Sequence, residues 1–249
     1  MKVSIITVVF NGKNTISDCI DSVITQDYKD IEYIIIDGNS SDGTIELIKS
    51  YGNKIFKLIS EPDKGIYDAM NKGLKMASGE IVGILNADDF YSDHKVISDV
   101  VRSFNIAGTE GVYGDLQYVS ADDKSKVTRN WISGNYKKGS FLNGWMPPHP
   151  TLFLKKSVYD KVGLFRLDMG SAADYELMLR MIHKTGIKIA YVPRVLVKMR
   201  AGGVSNSSVS NRLAANRNDR KAWAVNELNP YFYTLWFKPL RKIFQFFNA

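Results

Sequence analysis

The sequence predicts an α/β protein with a Rossmann-like, mainly parallel sheet and helices on both faces. Through the first hundred residues, short and nearly continuous apolar runs alternate with stretches of helical spacing, the pattern of parallel strands joined by crossover helices. The chain has 249 residues, 45% apolar and 24% charged, enough for a sizeable core. Ligands of such sheets bind beyond the carboxyl ends of the strands, so polar residues following the strands are functional candidates.

The elements follow from this alternation in chain order. Residues 1–90 are predicted to form a nucleotide-binding half and 91–205 an acceptor-binding half of one domain. The first half has predicted strands at 3–10, 31–36, 55–59 and 81–85, and helices at 13–26, from about 42, and at 66–77. The second half has a predicted helix at 94–105, extended runs at 111–119 and 127–132, a strand at 151–154, a helix at 174–184, and strands at 187–191 and 195–199.

The last part of the chain, residues 206–249, is predicted to be a basic, aromatic-rich helical tail. Residues 212–249 hold seven Lys or Arg against two acids, and aromatic residues are mixed with these cations from 229 onward. This composition suits an anionic membrane surface, where rings meet acyl chains and cations meet headgroups. A terminal helix packed on the domain, or a homo-oligomer contact, would have the same composition.

Composition also bears on partners and compartment. The net charge of +7 favours acidic partners such as nucleotides or phospholipid headgroups. The single cysteine, Cys19, excludes an intrachain disulfide, and its place on a helical face with Ile16, Ile20 and Val23 predicts a buried, inert thiol. The apolar run at the N-terminus ends by Asn11, too short for a membrane span and without a cleavage site. We therefore expect a cytoplasmic protein.

The strongest chemical signal is the acidic pair Asp88 and Asp89, directly after the predicted strand 81–85. Two carboxylates this close repel each other unless a positive charge binds between them. Mg²⁺ or Mn²⁺ prefers such oxygen ligands and keeps positions open for phosphate oxygens. The alternative is a cap for the helix that starts near His94.

Three further polar segments stand at a strand end or a helix start. Asp37 is placed to accept hydrogen bonds from a base or ribose, whereas Asp42 suits the cap of the following helix. The next helix start favours anions, and Lys64 or Lys72 would add charge there, although both also fit a solvated face. Asp174 suits either an N-cap or a base that removes a proton from an acceptor hydroxyl.

In series, these motifs resemble the family-2 glycosyltransferases, which have the GT-A fold. The resemblance covers about residues 2–205. The matching segments are Val3 to Asn11 for the opening strand, Asp37 to Thr44 for the nucleotide loop, Ala69 to Gly73 with Ala77 to Glu80 before the metal strand, Asn86 to Asp89 for the metal motif, and Asp174 to Arg180 for the catalytic helix.

The resemblance implies a role for each segment. Thr7 and Asp37 would contact the nucleobase, and Asp88 would lie near the ribose. Together with Asp89 it would hold a Mn²⁺ or Mg²⁺ that bridges the diphosphate, and Asp174 would be the general base of an inverting displacement. The donor-binding set would be Thr7, Asp37, Asp63, Lys64, Asn71, Lys72, Asp88 and Arg200. We expect Trp145 and His149, in the proline-rich loop 144–150, to border the acceptor, although His149 fits a surface or core residue equally well.

Four positions depart from the family pattern. With asparagine at a frequent ligand position, the metal would depend on Asp88 and Asp89. Without a histidine in the mobile loop 200–206, diphosphate contact there would fall to Arg200 or to backbone amides. The departures are Asn86 for a frequent aspartate, Met70 for an arginine, Ala173 for a glutamate and Gly202 for a histidine.

We thus expect an inverting, metal-dependent enzyme that moves a sugar, preferably from a UDP-sugar, to a hydroxyl of a saccharide acceptor. A lipid-linked acceptor in bacterial polysaccharide or O-antigen assembly, on the inner face of the cytoplasmic membrane, is the preferred setting. A nucleotidyltransferase would show a Gly-rich, Arg/Lys-bearing signature after the first strand, absent from 10–14. A nucleic-acid-binding module would concentrate its positive charge, which is spread thinly here, so no nucleic-acid partner is expected. Asp88, Asp89 and Asp174 argue against an inactive saccharide binder.

Overall fold

Nine strands form one mixed sheet in the computed structural model of the chain, which describes residues 1–106, 108–202, 209–243 and 245, with the side chains of 209–215, 239, 242 and 243 excepted. The strands are β1 Val3–Val9, β2 Ile31–Asp37, β3 Lys57–Ser60, β4 Ile81–Asn86, β5 Asp89–Tyr91, β6 Gly111–Val119, β7 Val127–Trp131, β8 Phe153–Lys155 and β9 Ile189–Arg200. The helices are α1 Ile16–Ile24, α2 Thr44–Lys49, α3 Ile66–Met76, α4 Val96–Phe104, α5 Lys156–Val162, α6 Ala173–Met178, α7 Val209–Val225 and α8 Thr234–Ile243. Short 3₁₀ segments lie at Gly52–Lys54, Ser140–Asn143, His149–Thr151 and Leu167–Ala172, and a π-helix at Leu179–Lys184.

The sheet order is β3-β2-β1-β4-β8-β6-β9-β5, with β7 paired to β6. The first four strands in this order are parallel to one another, as predicted, whereas β8 runs antiparallel to both β4 and β6. In the register of β1, Val9 lies opposite Asp37 of β2 and Val8 lies opposite Asn86 of β4. The polar segments that follow these strands therefore meet at one edge of the sheet.

Both faces of the sheet are covered by helices, as the apolar runs predicted. Successive residues of β1 point to opposite faces. Ile5 packs in the core with Ile20 of α1 and Val100 of α4, and Ile6 packs in the core that includes Leu74 of α3. The catalytic candidates lie at the rim between these two cores.

Several elements differ from the sequence-based expectation. The strand β5 and the helix α5 were not predicted, and the two strands expected at 187–191 and 195–199 are one strand, β9, with irregular register beside β6. The helix expected at 174–184 is α6 followed by the π-helix. Three-residue β5 is held by pairing with β9, more than a hundred residues later, so local periodicity carried no signal for it.

The C-terminal helices pack on the domain along one side. Ala222 and Trp223 of α7 and Leu235 of α8 are buried members of the same core as Leu74. The Thr234 hydroxyl donates to the carbonyl oxygen of Leu142 at 2.5 Å. Packing on the domain, one of the interpretations of the tail, is therefore what the described residues show, while 206–208, 244 and 246–249 lie outside them. Within the described ranges, no helix is long and apolar enough to cross a membrane.

Candidate active site

Asp88 and Asp89 lie where β4 ends and β5 begins, at the carboxyl edge of the parallel strands. Asp89 is fully buried, and its Oδ2 accepts a hydrogen bond from the Asn86 side-chain amide at 3.1 Å. Its Oδ1, like Oδ1 of Asn86, is buried without a hydrogen-bond partner among the described residues. Burial, and then the charge of Asp88, raise the pKa of Asp89 well above its usual range.

These oxygens fit a divalent cation. A buried, unpaired carboxylate oxygen is costly, and a hard cation would satisfy it. Among the described residues, no group of three or more His, Cys, Asp and Glu side chains is placed to hold a metal. A cation bound by Asp88 and Asp89 would thus take its other ligands from phosphate oxygens, water or neutral groups.

Arg200, at the end of β9, lies against the acidic pair. Its Nη1 donates to the backbone carbonyl oxygen of Asp88 at 2.8 Å, and its guanidinium stacks 5.3 Å from the centre of the Phe90 ring. Its Nη2 pairs with the carboxylate of Asp18 on α1, which also binds Lys124 at 2.7 Å. Arg200 is therefore near the predicted diphosphate position but is already engaged. Residues 203–206 of the predicted mobile loop lie outside the described residues.

The structure corrects the expected nucleobase contact of Asp37. Its carboxylate is fully buried and accepts hydrogen bonds from the Ser40 backbone N–H at 2.9 Å, the Ser40 hydroxyl at 2.5 Å and the Ser60 hydroxyl at 2.7 Å. Both carboxylate oxygens of Asp37 are thus taken up within the fold, by the loop after β2 and by β3.

Thr7 is likewise not placed for the nucleobase. It is fully buried, and its hydroxyl lies 3.1 Å from the Tyr33 hydroxyl and 3.5 Å from Sγ of Cys19. The side chain therefore points into the core beneath α1. Cys19 is itself buried, and burial raises the pKa of its thiol to about 12, which agrees with the predicted inert thiol.

The loops after β1 and β2 are fastened to each other. The Asn11 N–H donates to the Ser40 hydroxyl at 2.7 Å, and the Ser41 N–H donates to the Asn11 side chain at 3.0 Å. Asp42 accepts from the backbone N–H groups of Thr44 at 3.0 Å and Lys13 at 3.1 Å. Asp42 is therefore structural, as predicted, although the residue directly before α2 is a left-handed glycine.

Beside these loops the structure leaves a small open surface. The Phe10 side chain is 65% exposed, and Asp63 is half-buried. A Cβ on Gly38 would lie 2.7 Å from Oδ2 of Asp63 and 3.3 Å from the Phe10 ring. The backbone at Gly38 thus lies close to both groups, and the three form a surface with an exposed ring and a carboxylate.

Of the polar residues predicted around α3, Asn71 and Lys72 are occupied within the fold. The buried side chain of Asn71 donates to the Phe165 carbonyl at 2.9 Å and accepts from the Phe165 N–H at 3.0 Å. Asn71 therefore connects α3 to the second half of the domain, and its polar atoms are not turned towards a nucleotide sugar. Lys72 binds the Pro62 carbonyl and Glu61, each at 2.8 Å. Lys64 is exposed at the start of α3.

Asp174 lies in the first turn of α6, half-buried and facing aromatic residues. Burial, and then the charge of Asp174, raise the pKa of Tyr67 well above its ordinary range. Burial lowers the pKa of the half-buried His149, and the charge of Asp174 opposes this. The rings of Tyr67 and His149 lie 5.4 and 5.5 Å from that of Phe165. His149 and Tyr67 therefore pack against the same ring.

Tyr118 of β6 lies at the same level of the sheet as Asp89, because Met199 of β9 pairs with Asp89 on one side and with Tyr118 on the other. Burial raises the pKa of Tyr118, Arg129 lowers it, and both Asp89 and Asp174 raise it further. The Arg129 guanidinium lies 4.5 Å from the centre of the Tyr118 ring. Tyr118 therefore stands across β9 from the acidic pair.

A buried ion pair supports the helix that carries Asp174. Glu176 is 1% exposed and pairs with Arg180 through two contacts of 2.8 and 2.9 Å, and it accepts a hydrogen bond at 3.1 Å from Asn226, directly after α7. Arg180 also donates to the carbonyl oxygens of Val162 and Leu164. These contacts connect α6 and the following π-helix to the segment after α5 and to the segment after α7.

The structure contradicts the predicted acceptor role of Trp145. Its side chain is 5% exposed, and its indole N–H donates to the Ser133 carbonyl at 2.8 Å. Its ring packs against Tyr113, Tyr136 and Phe141. The proline-rich loop therefore contributes His149 to the cleft and Trp145 to the core.

Sequence reasoning missed three aromatic residues at the site. Phe10 stands at the end of a strand and is exposed, which a run of apolar residues alone does not reveal. Tyr67 is in a motif that was noticed for its charged residues, and Tyr118 occurs in an otherwise ordinary strand. The surroundings of these three rings can be found only from the fold.

Comparison of the sequence with known families identifies a match over residues 4–163 to the family described as Glycosyl transferase family 2. An uncharacterized glycosyltransferase of Mycobacterium tuberculosis is 33% identical over 180 residues, which cover 72% of this chain and 68% of the relative. A PGL/p-HBAD biosynthesis glycosyltransferase of Mycobacterium bovis is 25% identical over 211 residues, covering 83% and 80%.

Two solved structures share the fold at low sequence identity. TarS 1-349 of S. aureus in complex with UDP-GlcNAc superposes with a TM-score of 0.70 at 17% identity, covering 95% of this chain and 69% of TarS. The mannosyltransferase PcManGT of Pyrobaculum calidifontis, in complex with GDP-Man and Mn²⁺, gives 0.67 at 18% identity, covering 96% and 72%. At this identity the likeness concerns the fold.

Proposed function

Because this chain belongs to glycosyl transferase family 2, we propose that it transfers a sugar from a nucleoside diphosphate sugar to a hydroxyl of a saccharide, with inversion at the anomeric carbon. Membership makes the chain a glycosyltransferase, and its structural neighbours confirm the predicted GT-A fold. The observation that carries the proposal is the buried carboxylate of Asp89 at the carboxyl edge of the parallel strands, whose Oδ1 has no hydrogen-bond partner among the described residues. A donor phosphate site and a base on opposite sides of one cleft are what such a transfer requires.

We propose that the donor base stacks on Phe10 above Gly38. The exposed ring offers an apolar platform, and the half-buried carboxylate of Asp63 beside it is an acceptor for the imino N–H of a uracil. These groups replace Thr7 and Asp37 in the base-contacting role. The solved neighbours hold UDP-GlcNAc and GDP-Man, so the preference for UDP rests on the small surface around Gly38.

Asp88 and Asp89 are the residues that would hold Mn²⁺ or Mg²⁺. The buried, unpaired Oδ1 of Asp89 supports this assignment, because the folded protein alone leaves it without a donor. When bound, the cation neutralises charge on the diphosphate leaving group. Arg200, pairing with Asp18 and the backbone of Asp88, holds a positive charge beside the same diphosphate.

Asp174 is proposed to take the proton of the attacking hydroxyl. The acceptor oxygen forms a bond to the anomeric carbon while the bond to the diphosphate oxygen breaks with its electron pair, and the hydroxyl proton passes to the Asp174 carboxylate. Burial lowers the pKa of His149, so its imidazole is neutral at pH 7, and we propose that it hydrogen bonds the acceptor. The Tyr67 hydroxyl donates to the carbonyl oxygen of Ser171 at 3.5 Å, in the segment just before α6.

For the acceptor, we propose a lipid-linked saccharide in polysaccharide or O-antigen assembly on the inner face of the cytoplasmic membrane. The support is the net charge of +7 and the aromatic and cationic composition of the C-terminal segment.

A thermal-shift series tests the donor and the metal together. UDP, GDP and TDP are each added with and without Mn²⁺, because a ligand that binds only the folded protein raises its melting temperature. We expect UDP with Mn²⁺ to give the largest rise and UDP alone a much smaller one. Equal shifts with and without Mn²⁺ would contradict the metal assignment, and no shift with any nucleotide would contradict the donor proposal.

A further inference from the structure

The helix α8 has two unlike faces. Thr234 and Leu235 are buried against the domain, and Lys238 pairs with the carboxylate of Asp219 on α7 at 2.7 Å. These contacts fix the rotation of the helix about its axis. They leave Trp236 69% exposed and Leu240 49% exposed on the outside.

Aromatic residues extend this outer side beyond the start of the helix. Phe232 is 92% exposed, and its ring lies 5.2 Å from that of Tyr233, which lies 5.1 Å from that of Phe237. Single exposed apolar residues are ordinary, but a contiguous apolar patch on a folded surface marks a contact site. We call Phe232, Trp236, Phe237 and Leu240 the aromatic face.

Positive charge surrounds the aromatic face. Arg241 is exposed on α8. Arg217 and Arg220 are exposed on α7. Arg217 follows Asn216, whose side chain lies 3.5 Å from the carbonyl oxygen of Leu235 on α8. Arg220 follows Asp219, which pairs with α8 through Lys238. The carboxylate of Asp219 is neutralised by Lys238, so the charge that this surface presents is cationic.

We propose that the aromatic face is a docking surface for an anionic lipid bilayer. The rings and Leu240 enter the boundary between headgroups and acyl chains, while the arginines bind lipid phosphates. Rings with apolar bodies suit this boundary. A second copy of the chain fits less well, because a two-fold contact would bring the same cationic surface against itself.

The position of α8 relates this surface to the cleft. The Thr234 hydroxyl binds the Leu142 carbonyl, and the backbone of Lys238 lies so close to Gly144 that a Cβ there would be 2.5 Å from its nitrogen. Gly144 also has a φ of 71°, so only glycine suits this contact. The loop continues to His149, so docking holds the acceptor side of the cleft near the bilayer. The docking proposal rests only on the aromatic face and the cations around it. The statement that docking holds the acceptor side near the bilayer rests on the proposed function.

Co-sedimentation with vesicles tests the docking. The full chain is mixed with vesicles of phosphatidylglycerol and phosphatidylcholine, or of phosphatidylcholine alone. We expect binding to the anionic vesicles that weakens with salt, and a loss of about tenfold or more in bound fraction for Trp236→Ser/Leu240→Ser. Phe56→Ser is the matched control, since Phe56 is similarly exposed, at 64%, next to β3 at the far edge of the sheet.

Two measurements on the same proteins separate the possible results. The shift in melting temperature with UDP and Mn²⁺ should be equal in the wild type and the double variant, so a failure of nucleotide binding in both would contradict the proposed function and leave docking unaffected. Wild-type protein that stays in the supernatant with anionic vesicles, or a double variant that binds as well as Phe56→Ser, would overturn the docking proposal. A dimer that the double variant dissociates without lipid would also overturn it, in favour of a second copy.

Discussion

The side-chain amide of Asn86 donates to Oδ2 of Asp89 at 3.1 Å and leaves Oδ1 of the same carboxylate buried and unpaired among the described residues. An asparagine here holds one oxygen in place without adding a third negative charge to Asp88 and Asp89. This gives a physical reason for Asn86 in place of the aspartate that is frequent in the family. Asp89 is oriented by a neutral donor, and its unpaired oxygen is the one that would bind the proposed cation.

Asp89→Asn should remove metal-dependent nucleotide binding without unfolding the protein. The buried carboxylate is repelled by Asp88 and disfavoured by its surroundings, so the neutral amide should leave the metal-free protein equally stable or about 1 kcal/mol more stable. Chemical denaturation in the presence of a chelator measures the stability, and the melting-temperature shift with UDP and Mn²⁺ measures the binding.

Asp122→Asn serves as the control for this variant, because Asp122 is an exposed carboxylate in the turn between β6 and β7. It should behave as the wild type in both measurements. A normal Mn²⁺-dependent shift in Asp89→Asn would show that the cation, if one binds, is held elsewhere.

Asp174→Asn should reduce kcat by about 10²- to 10⁴-fold, the usual contribution of a general base. The amide is close in size to the carboxylate, so α6 and the donor site should stay intact and the UDP-induced melting shift should be unchanged. Steady-state kinetics with a saccharide acceptor measures the first and thermal shift the second.

Asp168→Asn is the matched control, since Asp168 lies in the 3₁₀ segment just before α6, 52% exposed, and pairs with Arg166 and Lys221. It should retain most of the activity. If Asp174→Asn kept most of its activity as well, the assignment of the base would be wrong.

Arg180→Met should be strongly destabilising, by about 3–5 kcal/mol, because it leaves Glu176 buried without its partner. The exposed pair of Lys156 and Asp160 has the same spacing of four residues, and Lys156→Met there should cost less than about 1 kcal/mol. Urea denaturation compares the two variants. Similar losses for both would mean that burial of Glu176 does not control the stability of the catalytic helix.

Local patterns were enough to predict the strands and helices of the first half. The β-branched runs of β1, β2 and β4 are buried on both sides and read directly as parallel strands. The acidic pair and Asp174 were also identified as candidate site residues, because carboxylates at a strand end or a helix start differ from their apolar neighbours.

The errors arose where a side chain's direction depends on distant partners. Thr7 and Asp37 have the residue types of a binding site, but Tyr33, Ser40 and Ser60 take up their polar atoms inside the fold. Trp145 was placed at the acceptor side from its loop, whereas the side chain turns into an aromatic cluster. Such choices follow from tertiary contacts, which sequence spacing does not encode.

Glu32 should make the stability of the protein depend on pH in the acid range. The carboxylate is 2% exposed and accepts hydrogen bonds from the Ser4 hydroxyl at 2.5 Å, the Ser78 N–H and hydroxyl at 2.8 and 2.6 Å, and Lys2 at 2.9 Å. Burial opposes its charge, but these donors outweigh burial and lower the pKa of Glu32 to about 2. An unfolded glutamate has a pKa of about 4.3.

Because the pKa is lower in the folded state, the stabilisation from Glu32 is fully present above about pH 5 and is lost as the pH falls towards 2. Glu32→Gln should therefore lower the free energy of unfolding by about 2 kcal/mol at pH 7. Its difference from the wild type should shrink as the pH approaches 2. Denaturation at several pH values measures both, with the exposed Glu46→Gln on α2 as the control. A difference between Glu32→Gln and the wild type that stays constant from pH 7 to pH 2 would mean that the ionised carboxylate is not what the surrounding donors stabilise.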